Sequence, residues 1–160
     1  MARDKVPATP AIRLLKQHKV KFIPHTYKYM DKGGTRVSAR ELQVDEFLVI
    51  KTLVMEDEQQ RPLIILMHGN CEVSLKHLAR QLKVKKINPC SVTRADSLTG
   101  YQTGGISPFG TKQKLPIYME ETIGHLDQLI INGGKRGLLV ELAAKDLIDI
   151  LNPTVVSVAI

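Results

Sequence analysis

Leu48-Val-Ile-Lys-Thr-Leu-Val-Met55 is the stretch on which the fold turns. It is apolar, of strand length and rich in β-branched residues, so it predicts a β-strand covered on both faces. Glu56-Asp-Glu-Gln-Gln-Arg-Pro62 follows as a polar hairpin, and Leu63 to His68 predicts the return strand. A connection of that length cannot hold a helical crossover, so the two strands must be antiparallel neighbours. Several later connections are equally short. The reading is therefore an α/β domain of the α+β type, one unit over residues 1–160, with a mixed or antiparallel central sheet.

Working outward toward the N-terminus, Ser38-Ala-Arg-Glu41 matches a capping box and predicts a short helix running toward Val44. Asp31-Lys-Gly-Gly34 reads as a polar turn before it. Phe22 to Tyr27 predicts a short strand, and Pro24 suits an edge position because it has no N–H for a ladder. Thr9-Pro10 predicts the start of the first helix, with Thr9 as N-cap and Ala11, Leu14 and Leu15 on one face. Residues 1–8 precede that helix as a flexible lead.

Toward the C-terminus, Ser74 predicts the cap of a helix whose Leu75, Leu78, Ala79 and Leu82 keep the helical period. Lys83, Lys85 and Lys86 close it at the negative end of its dipole. A second short helix is expected from Thr93 to Leu98. Pro116 to Met119, Gln128 to Asn132, Leu138 to Leu142 and Val155 to Val158 read as strands, with a helix from Lys145 to Leu151 that Asn152-Pro153 stops. That makes a sheet of about six to seven strands. No repeats, low-complexity tracts or linkers interrupt it.

The totals narrow the class of partner. With 160 residues, 43% hydrophobic and 24% charged, the chain fits one soluble globular domain able to bury a core. No apolar run approaches the roughly 18 to 20 residues of a membrane span, and no apolar stretch follows Met1-Ala-Arg-Asp-Lys5 as a secretory signal would. Cys71 and Cys90 form neither a disulfide framework nor a CxxC pair, which fits a reducing cytoplasm. The net charge of +7 and pI near 9.5 attract polyanions, nucleic acid first among them. Aromatics are only 4% and Trp is absent, so a platform for stacking many bases is excluded and any nucleic acid is held through its phosphates.

Three places could carry chemistry. Lys51, in the middle of the β-branched strand, either snorkels outward or points its ammonium into a polar site. Thr52 follows it and, in a regular strand, points to the opposite face. Thr99-Gly-Tyr-Gln-Thr-Gly-Gly-Ile-Ser-Pro-Phe-Gly110 holds four of the 11 glycines, and is either a surface turn or a loop whose backbone closes on a ligand. Asn132-Gly-Gly-Lys-Arg-Gly137 is either a solvated basic hairpin tip or a close backbone approach beside two phosphate-seeking cations, Lys135 and Arg136, with Lys112 and Lys114 extending that surface. His18, His25, His68, His77 and His125 show no HxxxH or HExxH spacing, so no metal is expected. P-loop and GxGxxG patterns are missing, and no protein nucleophile announces itself.

Taken together, Val49-Ile-Lys-Thr-Leu53, the Thr99–Gly110 stretch and Asn132-Gly-Gly-Lys-Arg-Gly-Leu138 strongly resemble the YbaK/EbsC family, free-standing relatives of the editing domain inserted in bacterial prolyl-tRNA synthetase. The resemblance covers nearly the whole chain, from Thr9-Pro-Ala-Ile12 through His25-Thr-Tyr27 to the final helix, and implies a barrel-like sheet with surrounding helices. It implies deacylation of mischarged tRNA, cysteine on tRNA(Pro) being the best single substrate and tRNA(Cys) a second carrier. It implies no cofactor, and prolyl-tRNA synthetase as a partner. Position by position, Lys51 matches the family's essential lysine and Thr52 the pocket residue after it. Tyr27 matches a rim tyrosine, and Gly104, Gly105, Ile106, Ser107 and Pro108 the loop around the aminoacyl group. Asn132, before Gly133-Gly134, stands where relatives often carry serine, and the segment after Tyr27 offers no obvious match to a pocket aromatic. In the YbaK branch the substrate's own thiol is thought to attack its ester carbonyl. Two alternatives stay open: a sibling that clears alanine or another small amino acid with water, and a non-catalytic tRNA- or synthetase-binding module.

Overall fold

The computed structural model describes residues 6–160. The chain runs α1 (Pro10–Gln17), β1 (Phe22–Thr26), α2 (Gly34–Leu42), β2 (Val49–Asp57), β3 (Pro62–His68), α3 (Leu75–Leu82), β4 (Ile87–Pro89), α4 (Val92–Thr99), β5 (Ile117–Glu120), β6 (Gln128–Lys135), β7 (Leu138–Ala143), α5 (Ala144–Leu151) and β8 (Thr154–Val156). The expected flexible lead over residues 1–8 lies mostly outside the described residues; within them Val6 packs against the core.

β2 and β3 form the antiparallel pair read from the sequence, in register from Ile50 opposite His68 to Glu56 opposite Pro62. The full sheet is ordered β1-β7-β6-β2-β3-β5-β8, with β4 paired to β2 as well. The β2–β6, β3–β5 and β5–β8 pairings are parallel and the others antiparallel, which makes the sheet mixed.

Two expectations need correction. The sheet is not closed into a barrel: β1 pairs only with β7 and β8 only with β5, at opposite ends of the order. Closure requires every strand to have two neighbours. Here both ends are blunted instead, β1 by Pro24 and β8 by its length of three residues. Among the described residues the strands number eight, because Ile87–Pro89 adds a three-residue strand too short to carry a period.

Helices cover both faces. Ile50 and Val54 of β2 join one large core with Ala11, Ile12 and Leu15 of α1, Ala95 and Leu98 of α4, and Leu147 of α5. Met55, Ile65 and Met67 face the other way, against Leu78 and Ala79 of α3. A smaller cluster of Ala39, Val49, Ile130 and Leu139 lies under α2. Successive β2 side chains thus serve opposite cores, as the alternation of a strand requires.

Side-chain caps start α1, α3 and α4, whereas α2 and α5 have none. Thr9 and Ser74 cap α1 and α3 as read, their hydroxyls accepting from the amides of Ile12 and His77. α2 starts at Gly34, four residues before the capping-box reading, because Ser38 does not cap. Its hydroxyl lies inside the helix, 3.2 Å from the Gly34 carbonyl and 3.1 Å from the Tyr27 hydroxyl, a bond back along the turn that mimics nothing of a cap.

Candidate functional site

The central strand is forked. β3 occupies one edge of β2 from Ile50 to Glu56, leaving the other edge for β6 and β4. β6 pairs with Val49 and Ile50 only, and β4 pairs with Met55, Glu56 and Asp57 only. Between those pairings, residues 51–54 have no ladder on that edge. The Val54 carbonyl accepts from the Cys90 amide at 3.0 Å, so by strand alternation the backbone amide and carbonyl of Thr52 also point into the gap.

A cleft of about 410 Å³ opens at this fork, a size suited to a small ligand. Val49 to Leu53, Tyr27, Ser38 and Leu139 line it, together with Thr103, Gly104, Ile106, Asn132 and Arg136. Lys51 is half-buried, lines the cleft, and has no ion-pair partner within 4 Å among the described residues. The Thr52 hydroxyl is buried and has no hydrogen-bond partner among the described residues. Lys51 and Thr52 belong to opposite faces of β2, yet both border the cleft, because the gap runs through the sheet rather than over it.

The loop after α4 forms the far wall. Gly104 has φ +94°, where an L-residue is strained, and a Cβ there would collide with the Tyr29 hydroxyl. Gly105 allows a second close approach, this time to backbone: a Cβ would lie 2.6 Å from the Arg136 amide nitrogen. The loop is therefore pressed against both the segment after β1 and the β6–β7 hairpin. That hairpin carries a bulge between Asn132 and Lys135.

The other residues singled out in the sequence take different places. Ser107 and Pro108 are buried behind the wall, where the Ser107 hydroxyl accepts from the Phe109 amide at 3.1 Å. Gly133 is buried under the hairpin and its carbonyl accepts from the Thr9 hydroxyl at 2.6 Å. Gly134 packs near Tyr101 and Thr9. Lys135, Lys112 and Lys114 are exposed and none lines the cleft, whereas Arg136 is half-buried and does.

Sequence reading missed Tyr29, Thr35 and Ser38, all of which line the cleft. Tyr29 is an aromatic in the segment after Tyr27 where no match stood out, and Arg136 lies over its ring, 5.0 Å from the centroid. The only signal was the pair of tyrosines two apart.

Neither a histidine nor a cysteine lines the cleft, so none of its hydroxyls has an imidazole base beside it. Burial and the Glu56 carboxylate push the Cys90 thiol up to about 11, and it holds no useful thiolate at neutral pH. No cluster of three or more metal-ligating side chains occurs among the described residues, and no helix there is long and apolar enough to cross a membrane.

An open mixed sheet, helices on both faces and a cleft at the fork define an editing-domain fold of the YbaK type. A solved structure of a provisionally assigned trans-editing enzyme for prolyl tRNA synthetase shares it, with a TM-score of 0.81 at 19% identity over 96% of this chain and 98% of that one. Residues 34–150 match the model of the aminoacyl-tRNA editing domain, and the chain belongs to that family. A protein of Enterococcus faecalis, provisionally named Cys-tRNA(Pro)/Cys-tRNA(Cys) deacylase EbsC, is 31% identical over 154 residues, covering 95% of this chain and 94% of its own length. A proline–tRNA ligase of Brachyspira hyodysenteriae is 24% identical over 86 residues, which are 54% of this chain and 15% of the ligase.

Proposed function

We propose that this protein is an aminoacyl-tRNA deacylase acting in trans, with Cys-tRNA(Pro) as its best substrate and Cys-tRNA(Cys) as a second. The observation that carries this reading is the convergence of Lys51 and the unpartnered Thr52 hydroxyl on a small cleft without a base-activated nucleophile. Membership of the editing-domain family and the name of the Enterococcus faecalis relative support the substrate class.

A cleft of this kind suits a substrate that brings its own nucleophile. The cysteine thiol loses its proton and its sulfur attacks the ester carbonyl carbon. A C–S bond forms, the bond from that carbon to the ribose oxygen breaks, and the ribose oxygen takes up a proton. The products are free tRNA and a cyclic thiolactone, with no oxidant or reductant needed. At an ordinary thiol pKa near 8.5, a few per cent of the substrate is thiolate at neutral pH. Holding sulfur and carbonyl in reacting geometry can lower the barrier by up to about 7–11 kcal/mol in ideal cases.

Lys51 binds the terminal adenosine or its phosphate beside the ester, and the Thr52 hydroxyl and amide accept and donate to the aminoacyl group. Carbonyls of Gly104 and Gly105 hold the α-ammonium, which has only donors to offer. Tyr27 sits at the rim. Lys112, Lys114 and Lys135 attract the tRNA backbone, and prolyl-tRNA synthetase supplies tRNA selection as a partner.

Incubation with a panel of mischarged tRNAs tests the reading. Cys-tRNA(Pro) is cleaved fastest, and serine in place of cysteine slows the reaction because a hydroxyl replaces the thiol. Lys51→Ala loses at least about a hundredfold in rate with its melting temperature unchanged. Near-wild-type turnover by that variant would sink the assignment of Lys51.

A further inference from the structure

The glycine-loop wall of the cleft is held largely by side chains from elsewhere in the sequence. The Thr103 carbonyl accepts from Arg136 Nε at 2.9 Å, and the next carbonyl, Gly104, accepts from Asn132 Nδ2 at 3.3 Å. On the opposite side, Asp96 Oδ1 accepts from the Thr103 amide and hydroxyl at 2.9 and 2.6 Å. Two consecutive carbonyls are thus tied to the β6–β7 hairpin, while the amide and hydroxyl of Thr103 are tied to α4.

Both hairpin donors are themselves fixed. Asn132 Oδ1 accepts from the amides of Gly134 and Lys135 at 2.7 and 3.2 Å, which turns the side-chain NH₂ toward Gly104. The bulge that presents those amides is built by Gly133 and Gly134. Arg136 Cζ lies over the Tyr29 ring, 5.0 Å from the centroid, and its backbone is the surface on which Gly105 rests. A planar guanidinium that faces a ring while its Nε donates to a carbonyl is not interchangeable with lysine.

We propose that Asn132 and Arg136 are positioning residues: a hairpin clamp that sets the height of Thr103-Gly104 above the fork, and so the width of the aminoacyl end of the cleft. Asn132 makes no direct bond to substrate in this assignment, and Arg136 is removed from the tRNA-phosphate surface to which its neighbour Lys135 belongs. The reach of the clamp follows from side-chain length. A serine at position 132 ends one bond after Cβ and cannot span from the bulge to the Gly104 carbonyl. The clamp therefore deepens the proposed deacylase reading, on which its effect on amino-acid selectivity rests.

Two measurements separate the clamp from that reading. Hydrogen exchange in the free protein follows the amides of residues 99–110 in the wild type, Arg136→Lys and Asn132→Ser. Both variants exchange faster over 103–106 while the β2–β3 amides keep their protection. Unchanged exchange in both variants overturns the clamp whatever the enzyme does. Steady-state kinetics on Cys-tRNA(Pro) then give kcat lower by about tenfold to a hundredfold, the cost of a loosened reacting geometry. KM stays within about twofold, the mark of an interaction outside uniform substrate binding. Discrimination between cysteine and alanine narrows in Asn132→Ser. A raised KM with kcat intact and a shallower salt dependence in Arg136→Lys marks direct phosphate binding and overturns the assignment of Arg136. A wild type inactive on every tRNA defeats the deacylase reading alone, since the exchange experiment still decides the clamp.

Discussion

In the cleft, the Thr52 hydroxyl is buried with no partner among the described residues. Such a group costs about 1–3 kcal/mol relative to one that is satisfied. Thr52→Val keeps the shape and removes the hydroxyl. Its expected signature is a melting temperature raised by a few degrees, since about 1 kcal/mol shifts a domain of this size by roughly 2–4 °C. Deacylation falls at the same time. A valine variant that melts lower would show that the hydroxyl has a resident partner. Lys51 was legible because a lysine inside an apolar run must be explained. Tyr29 was not legible, because Lys28-Tyr29-Met30 carries no local signature and its place in the cleft depends on Gly104 coming beneath it from some 75 residues away.

Among the elements, the β2–β3 turn carries the clearest electrostatic consequence. Asp57 Oδ1 accepts from the amides of Gln59 and Arg61 at 2.8 and 2.9 Å, and its Oδ2 accepts from Arg61 Nε at 2.7 Å. Burial on its own would raise the carboxyl, but donation from the Arg61 amide and guanidinium and from the Gln59 amide outweighs it and holds the group below 3.8. A depressed carboxyl stabilises the fold above the unfolded value and loses that contribution as pH falls through the folded one. Asp57→Asn should therefore unfold at lower denaturant concentration than wild type at pH 7. The gap should narrow once pH drops below 3.8, as chemical denaturation across pH would show. The hairpin itself was plain in the sequence, as were the caps Thr9 and Ser74, because each depends on neighbours within a few residues. The α2 start was misread because Ser38-Ala-Arg-Glu41 is a capping box in pattern only. Tyr27, from another element, claims the serine hydroxyl.

Over the whole molecule, a net charge of +7 is split between two kinds of cation. Lys51, Lys32 and Arg136 line the cleft, while Lys112, Lys114 and Lys135 stand exposed outside it. Reversing the outer three to glutamate should raise KM for tRNA and leave kcat near wild type. The slope of log affinity against log salt should fall by about 0.7–0.9 for each phosphate no longer neutralised. An unchanged slope removes these lysines from the interface. The basic balance was legible from composition alone, and so were the antiparallel hairpins β2–β3 and β6–β7, from connections too short for crossovers, whereas the parallel pairings that make the sheet mixed were left open. An open sheet was not, because closure depends on which strands end without partners. A β1 carrying Pro24 and a β8 of three residues decide that only in three dimensions.

The fork in the sheet also bears on how the chain assembles. β2–β3 and β6–β7 are hairpins whose turns close cheaply and early, each from a single short stretch of chain. They meet through only two residue pairs, Val49 with Ile130 and Ile50 with Ile131, separated by about eighty positions. That junction closes a long loop of chain, and the cleft does not exist until it is made. A molecule seated between the two hairpins bridges the seam and binds only the joined form, so its presence stabilises that form over every state in which the seam is open.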